Sequence, residues 1–184
     1  LAYLSIALNF HLALRVGELC ALKWSDITDD MIAIKRAEIS HLPENDKKGK
    51  KITKISTPKT VAAFRSIPLT DEAIQIIHEI KEISKAEDWY DKNGYIFVGK
   101  KGRLTARQIN SCMQKTCHYL KIKTRNIHNI RKTVLSKLLD SGMHPKVLIG
   151  FSGHENSKTL MEYYYFYRFS DESAKKQFLK AVSQ

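Results

Sequence analysis

The first fourteen residues constrain the fold of this chain more than any other stretch. Residues Leu1 to Leu14 are nearly all apolar, and the run has the length of a buried helix rather than that of a strand. A second helical pattern opens at Arg15 and closes at Trp24. Arg15 needs a partner, because an unpaired charge beside an apolar core is costly. That partner is either Glu18, in an ordinary ion pair, or an anion bound near the start of the second helix.

Alternating apolar residues predict three short strands in the next part of the chain. The strands are expected at Met31 to Ser40, Lys51 to Thr57 and Phe64 to Leu69. Residues His41 to Lys51 are polar and contain Pro, Asn, Asp and Gly, which predicts a hairpin loop. Strands this few and short form a small antiparallel sheet, so the main core is left to the helices.

Helical periodicity dominates the rest of the sequence. Further helices are predicted to begin at Thr70, Thr105, His128, Pro145 and Ser170. The 184 residues suffice for one well-cored domain, and no linker or internal repeat divides them. The sequence therefore predicts an α+β fold, mainly α-helical, with a small antiparallel β-sheet and a single domain over residues 1–184.

The chain is strongly basic. Its 31 lysines and arginines oppose 19 aspartates and glutamates, which gives a net charge of +12 and a pI near 9.6. A surplus of this size in a folded domain favours a polyanionic partner. Composition alone is also compatible with a basic protein that is simply soluble.

The cysteines and the hydropathy narrow the class of protein further. Cys20, Cys112 and Cys117 are an odd number without paired spacing, which favours reduced thiols in a cytosolic protein over a disulfide framework or a zinc site. No apolar run is long enough to span a bilayer, and the sequence contains no secretory signal pattern. We expect no cofactor, no metal and no membrane association.

Several polar residues stand out, although each has an ordinary explanation of its own. His128 with Arg131, three positions apart on a helix, is more often a surface pair than a site. Lys59 in a turn is usually a solvated lysine, and Gly153 followed by His154 says little alone. The aromatic cluster Tyr163 to Tyr167 is more often divided between core and surface. Their order along the chain is more informative than any one of them.

The ordered set of motifs is specific. It comprises Leu14-Arg15-Val-Gly-Glu-Leu, Leu22-Lys-Trp24-Ser-Asp26-Ile27, Pro58-Lys59-Thr, Arg65-Ser-Ile-Pro68-Leu69, His128-x-x-Arg131, Gly153-His154, and Tyr163 nine positions later. This set, which covers essentially the whole chain, resembles the catalytic domain of the tyrosine recombinases, the integrase family of phages and conjugative elements. One departure is Ser152, which stands where leucine is commoner in the family.

The resemblance implies a catalytic-domain fold of that family and a role for each motif residue. Arg15 and Arg131 would bind the phosphate. Lys59 would protonate the departing oxygen, and His128 would accept the proton of the nucleophile. The remaining two roles fall to His154, which would bind the phosphate or position its neighbours, and to Tyr163, which would be the nucleophile. Tyr164 and Tyr165 follow immediately, so the choice of tyrosine rests on the family spacing.

The family also implies partners and a location. The expected partner is double-stranded DNA with recombination sites, bound by a homotetramer in the bacterial cytoplasm, with accessory DNA-bending proteins. The family's N-terminal core-binding and arm-binding domains are not expected within residues 1–184. The helix predicted from Ser170 would pack on its own domain or dock on a neighbouring subunit.

Two other functions are compatible with these motifs. A DNA-relaxing enzyme like the type IB topoisomerases would use the same reaction without exchanging strands. A catalytically silent DNA-binding module would keep the fold alone, although all six residues are present here. A metal-dependent nuclease is disfavoured, because no carboxylate cluster accompanies the histidines.

Overall fold

Helices are the main secondary structure of the chain as far as the structure describes it. The computed structural model describes residues 1–42, 52–57 and 64–154, together with residues 158, 160, 161, 179 and 182. The helices are α1 (Ala2–Leu12), α2 (Val16–Cys20), α3 (Asp71–Ala86), α4 (Ala106–Tyr119), α5 (Ile127–Asp140) and α6 (Pro145–Ser152). The predicted start of a last helix at Ser170 lies outside the described residues. None of the helices within these ranges is long and apolar enough to cross a membrane.

Helix α1 lies at the centre of the domain, as its apolar sequence predicts. It packs against α3, α4 and α5. Leu4, Leu8 and Leu12 are buried, and they join one core with Ile80 of α3 and Ile109 of α4. The most apolar helix is therefore enclosed by three amphipathic ones, each of which keeps its polar face in solvent.

The β-structure consists of short antiparallel pairs. The strands are β1 (Met31–Ile34), β2 (Ala37–His41), β3 (Ile52–Ser56), β4 (Arg65–Pro68), β5 (Val98–Gly99) and β6 (Gly102–Arg103). Strand β1 pairs with β4, β2 with β3, and β5 with β6. Antiparallel β-structure is confirmed, but the single strand predicted from Met31 to Ser40 is wrong. It breaks at Lys35 and Arg36, whose side chains both reach Asp26.

Capping residues explain where several of these helices begin. The Thr70 hydroxyl accepts a hydrogen bond from the Ala73 amide at the start of α3. Thr105 and Gln108 form a reciprocal capping box at the start of α4. Such caps satisfy amides that have no partner in the first turn of a helix, and they fix the first residue of each helix.

The three cysteines form no disulfide, as their spacing predicts. Cys20 and Cys117 are buried, and Cys112 is partly buried. Burial raises the pKa of the Cys20 thiol to about 12, so this cysteine behaves as a small apolar core residue.

Helix α2 rests directly on the backbone of β2 at Gly17. A Cβ atom added to Gly17 would lie 2.4 Å from the backbone oxygen of Glu38. Real side chains do not approach a carbonyl oxygen so closely. The glycine between Arg15 and Glu18 is therefore required by packing, because it lets α2 lie against the strand.

We expect Gly17→Ala to destabilise the domain by about 1–3 kcal/mol, the usual effect of overfilling a packed contact. Urea unfolding followed by circular dichroism would measure the change. Gly150→Ala in α6 is the matched control, since a Cβ there meets no atom within 4 Å. That variant should gain roughly 0.5–1 kcal/mol from helix propensity. Unchanged stability of Gly17→Ala would contradict the close contact.

Candidate active site

A buried asparagine turns the chain from α1 into the site. The Asn9 side chain accepts a hydrogen bond from the Leu14 amide at 2.8 Å and donates one to the Leu14 carbonyl at 3.2 Å. Ala13, between them, adopts a left-handed conformation with φ 51°. This turn directs Arg15 away from the end of α1, and it leaves the Ala13 carbonyl available to a side chain from another helix.

The side chain of Arg131, in α5, binds the Ala13 carbonyl. One of its terminal nitrogens (Nη1) donates to the Ala13 oxygen at 2.7 Å, and the other (Nη2) donates to the Ser152 oxygen at 2.6 Å. The residue is only 1% exposed, although the amphipathic pattern of α5 predicts it on the polar side. Its burial is tolerated because hydrogen bonds satisfy the guanidinium.

Arg15 lies beside Arg131 and is more accessible. Its Nη2 atom donates to the Gly153 oxygen at 3.1 Å, one residue beyond the carbonyl that Arg131 holds. Its Nη1 atom lies 2.9 Å from a carboxylate oxygen of Glu18, and its side chain is 43% exposed. Both partners expected for Arg15 are thus compatible: the ion pair with Glu18 is present, and the guanidinium still faces solvent.

His154 is held in a defined tautomer. A nitrogen of Arg131 lies 3.3 Å from its Nε2 atom, and a guanidinium only donates, so Nε2 accepts. The ring proton is therefore on Nδ1, which lies 2.9 Å from the Ser152 hydroxyl. Burial, followed by the charges of Arg131, Arg15 and Arg65, lowers the pKa of His154 to about 4. His154 is neutral at pH 7 and orients Arg131.

His128 lies at the start of α5, one turn before Arg131. Partial desolvation and then the charges of Lys132, Arg131 and Arg15 lower the pKa of His128. A lower pKa keeps a larger fraction of the imidazole neutral at pH 7, and only a neutral imidazole accepts a proton. The exposed position of His128 allows a bound molecule to reach it.

The structure thus brings together four of the six residues predicted from the sequence: Arg15, His128, Arg131 and His154. Lys59 and Tyr163 lie outside the described residues, as do Tyr164 and Tyr165. The four residues come from the start of α2, the first two turns of α5 and the segment directly after α6. Their roles in a reaction remain predictions.

Three further residues, Arg65, Glu18 and Asn9, contribute to the site, although the sequence motifs predicted no role for them in it. Arg65 of β4 forms a bidentate pair with Glu18, with distances of 2.8 and 3.2 Å, and donates to the Phe151 oxygen at 2.7 Å. Glu18 was expected only as a partner of Arg15, and Asn9 carried no visible signal. Arg65 could have been suspected, because it stands near the start of a predicted strand in one of the motifs. A guanidinium beside an apolar core needs an acceptor, so its position implied a buried partner.

The arrangement suits an oxyanion. Burial raises the pKa of Glu18, but hydrogen bonds and charge from Arg65, and then charge from Arg15, outweigh it and lower the pKa. Glu18 is therefore ionised and balances part of the local positive charge. A half-exposed guanidinium beside a buried one can bind the non-bridging oxygens of a phosphodiester without a metal.

Residues 2–168 match the model of the phage integrase family. The chain belongs to this family. The match spans most of the 184 residues, and it confirms the resemblance drawn from the motifs.

Curated relatives of this chain include a prophage integrase and a tyrosine recombinase. A probable integrase of prophage ps2 from Lactococcus lactis is 33% identical over 109 residues, which are 55% of this chain and 28% of the relative. A tyrosine recombinase XerC-like protein from Caldanaerobacter subterraneus is 29% identical over 161 residues, 81% of this chain and 41% of that protein. The chain therefore spans less than half the length of these relatives.

Solved integrase-family structures confirm the fold. The integrase of transposon Tn1549, in complex with transposon right end DNA, superposes with a TM-score of 0.75 at 22% identity. The alignment covers 99% of this chain and 59% of the other. The XerA recombinase gives a TM-score of 0.69 at 18% identity, over 98% of this chain and 61% of the other. The predicted catalytic-domain fold of the tyrosine recombinases is confirmed.

Proposed function

We propose that residues 1–184 act as the catalytic domain of a site-specific DNA recombinase that integrates and excises a mobile element. The observation that carries this proposal is the pairing of Arg15 and Arg131 on consecutive carbonyls, with His154 and His128 beside them. Family membership supports it, as do the prophage integrase and the tyrosine recombinase among the relatives.

The two arginines would bind the scissile phosphate. As a phosphodiester is attacked, negative charge gathers on its non-bridging oxygens, and fixed donors aimed at those oxygens lower the barrier. Arg131 is immobilised by the Ala13 and Ser152 carbonyls, so its guanidinium needs little reorganisation. His154 accepts from the same guanidinium and thereby fixes its plane. Arg15, which is more exposed, would close on the phosphate from the solvent side.

The reaction would proceed by a covalent exchange at phosphorus. The Tyr163 hydroxyl attacks the phosphorus atom, a bond from the tyrosine oxygen to phosphorus forms, and the bond to the 5′ oxygen breaks. His128 accepts the tyrosine proton and Lys59 protonates the departing 5′ oxygen. The product is a 3′-phosphotyrosyl link and a free 5′-hydroxyl. Attack by the 5′-hydroxyl of another strand reverses the step and rejoins the DNA.

DNA is the proposed partner. The net charge of +12 favours a polyanion, and the Tn1549 integrase to which this chain is similar was solved with transposon DNA. We further propose that the working assembly on DNA is a homotetramer, with accessory DNA-bending proteins, as the family resemblance implies.

A nicked duplex tests the proposed reaction directly. The chain is incubated with attachment-site DNA from the ends of its element. The DNA is nicked so that the short fragment bearing the new 5′-hydroxyl diffuses away after cleavage. We expect a protein–DNA adduct that survives denaturing electrophoresis, forms equally in EDTA, and maps by mass spectrometry to one tyrosine.

Each other outcome identifies a different function. DNA binding without any adduct indicates a silent module. If the chain forms adducts and relaxes supercoiled DNA but never joins two sites, it is a topoisomerase-like enzyme. Cleavage that requires Mg²⁺ and leaves no protein on the DNA indicates a nuclease and overturns the proposal.

A further inference from the structure

Three arginines hold three consecutive carbonyls at the end of α6. Arg65 Nε donates to Phe151 at 2.7 Å, while Nη2 atoms of Arg131 and Arg15 donate to the next two residues at 2.6 and 3.1 Å. The last carbonyls of a helix have no partner within it and form the negative end of its dipole. The segment that leads into His154 is therefore fixed by side chains from three distant parts of the chain.

Glu18 links two of these arginines. Each of its oxygens accepts from Arg65, at 3.2 and 2.8 Å, and one of them also accepts from Arg15 at 2.9 Å. The side chains of Arg65 and Glu18 are 4% and 5% exposed, whereas that of Arg15 is 43% exposed. Arg65 and Glu18 thus form the buried back of the site, and Arg15 forms its open front.

We propose that Arg65 is a positioning residue, which sets the guanidinium of Arg15 through Glu18 and sets His154 through the Phe151 carbonyl. This inference rests on the proposed recombinase function. Arg65 lies 47 residues from Glu18 and 86 from Phe151 along the sequence, so it ties β4 to both other segments of the site.

The charges explain why Arg65 matters to a phosphate that it does not touch. With Arg65 present, the Glu18 carboxylate is already neutralised, and Arg15 keeps its positive charge for an anion in front. Without Arg65, the buried carboxylate has to be balanced by Arg15 alone, which draws the guanidinium inwards. The end of α6 also loses one of its three supports, so His154 is less well placed.

The test compares variants by their cleavage rate on the nicked duplex. We expect Arg65→Met to slow adduct formation at saturating DNA about 100-fold, as small displacements of reacting groups do. DNA affinity should change little, because the Arg65 side chain is only 4% exposed. Arg65→Lys should recover only part of the rate, since lysine cannot reproduce a bidentate pair and a third hydrogen bond.

Two further variants separate positioning from folding. Arg36→Met removes a comparable pair, in which Arg36 lies 2.6 Å from the buried carboxylate of Asp26 outside the site. Measured well below its melting temperature, this control should keep the full cleavage rate. Adding Glu18→Gln to Arg65→Met removes the unbalanced carboxylate and should raise the rate above that of Arg65→Met alone.

The outcomes distinguish this inference from the proposed function. If the unaltered chain forms no adduct, the proposed function fails and the positioning role fails with it. If the unaltered chain forms adducts and Arg65→Met matches its rate, only the positioning role is overturned. An equal loss in Arg36→Met and Arg65→Met would also overturn it, because both variants would then report on stability alone.

Discussion

Tyr163→Phe is expected to abolish covalent adducts with nicked DNA while leaving DNA binding largely intact. The substitution removes one hydroxyl and keeps the aromatic ring, so only the nucleophile is lost. Tyr163 lies outside the described residues, and its assignment rests on its position nine residues after His154. Adducts would be measured by denaturing electrophoresis, and binding would be measured by gel shift on the same duplex.

The neighbouring tyrosine provides a matched control. Tyr164→Phe makes the same chemical change one residue later and should form adducts at the rate of the unaltered chain. The reverse result, with adducts retained in Tyr163→Phe and lost in Tyr164→Phe, would move the nucleophile to Tyr164. Loss in neither variant would show that another residue attacks the DNA.

Arg131→Lys should reduce the rate of adduct formation by roughly 10²–10³-fold, the usual loss when one fixed donor to a transition state is removed. A lysine keeps the charge, but its single nitrogen cannot bind the Ala13 carbonyl, the Ser152 carbonyl and His154 together. A buried acceptor left without its donor costs about 1–3 kcal/mol, so the variant should also melt at a lower temperature. Single-turnover cleavage well below that temperature isolates the chemical effect.

Lys137→Arg in the same helix is the control for exchanging one basic residue for another. Lys137 is exposed near the end of α5, and this exchange also leaves the net charge unchanged. It should cleave and melt as the unaltered chain does. If Arg131→Lys cleaved equally fast, a fixed guanidinium at this position would be unnecessary and the proposed phosphate clamp would be wrong.

Local sequence patterns predicted most of the helices that the structure describes. The buried helix α1 and the helix starts near Thr70, Thr105 and His128 all follow from periodicity and capping, which depend on neighbouring residues. The break after β1 was not predictable in this way. It depends on Asp26, which is close to Lys35 and Arg36 only in the folded chain.

The candidate site, like the fold, was only partly predictable from local sequence patterns. The motifs indicated Arg15, His128, Arg131 and His154, and the structure brings these four together. Periodicity nevertheless placed Arg131 on the polar side of α5, since helical patterns contain no information about carbonyls on other elements. The pairing of Arg65 with Glu18 is also a long-range contact that no local pattern could reveal.

The arginines bind main-chain oxygens at the end of α6, so these contacts do not depend on the side chains of residues 151 and 152. Ser152 occupies a position where the family more often has leucine, yet its carbonyl is the same acceptor for Arg131. Only the hydroxyl contact with His154 requires serine. The side chains at these two positions can therefore change while the carbonyl oxygens that Arg65 and Arg131 bind stay in place. This arrangement is compatible with a fold that is shared at 22% sequence identity, because a change of side chain leaves the main-chain acceptors in place.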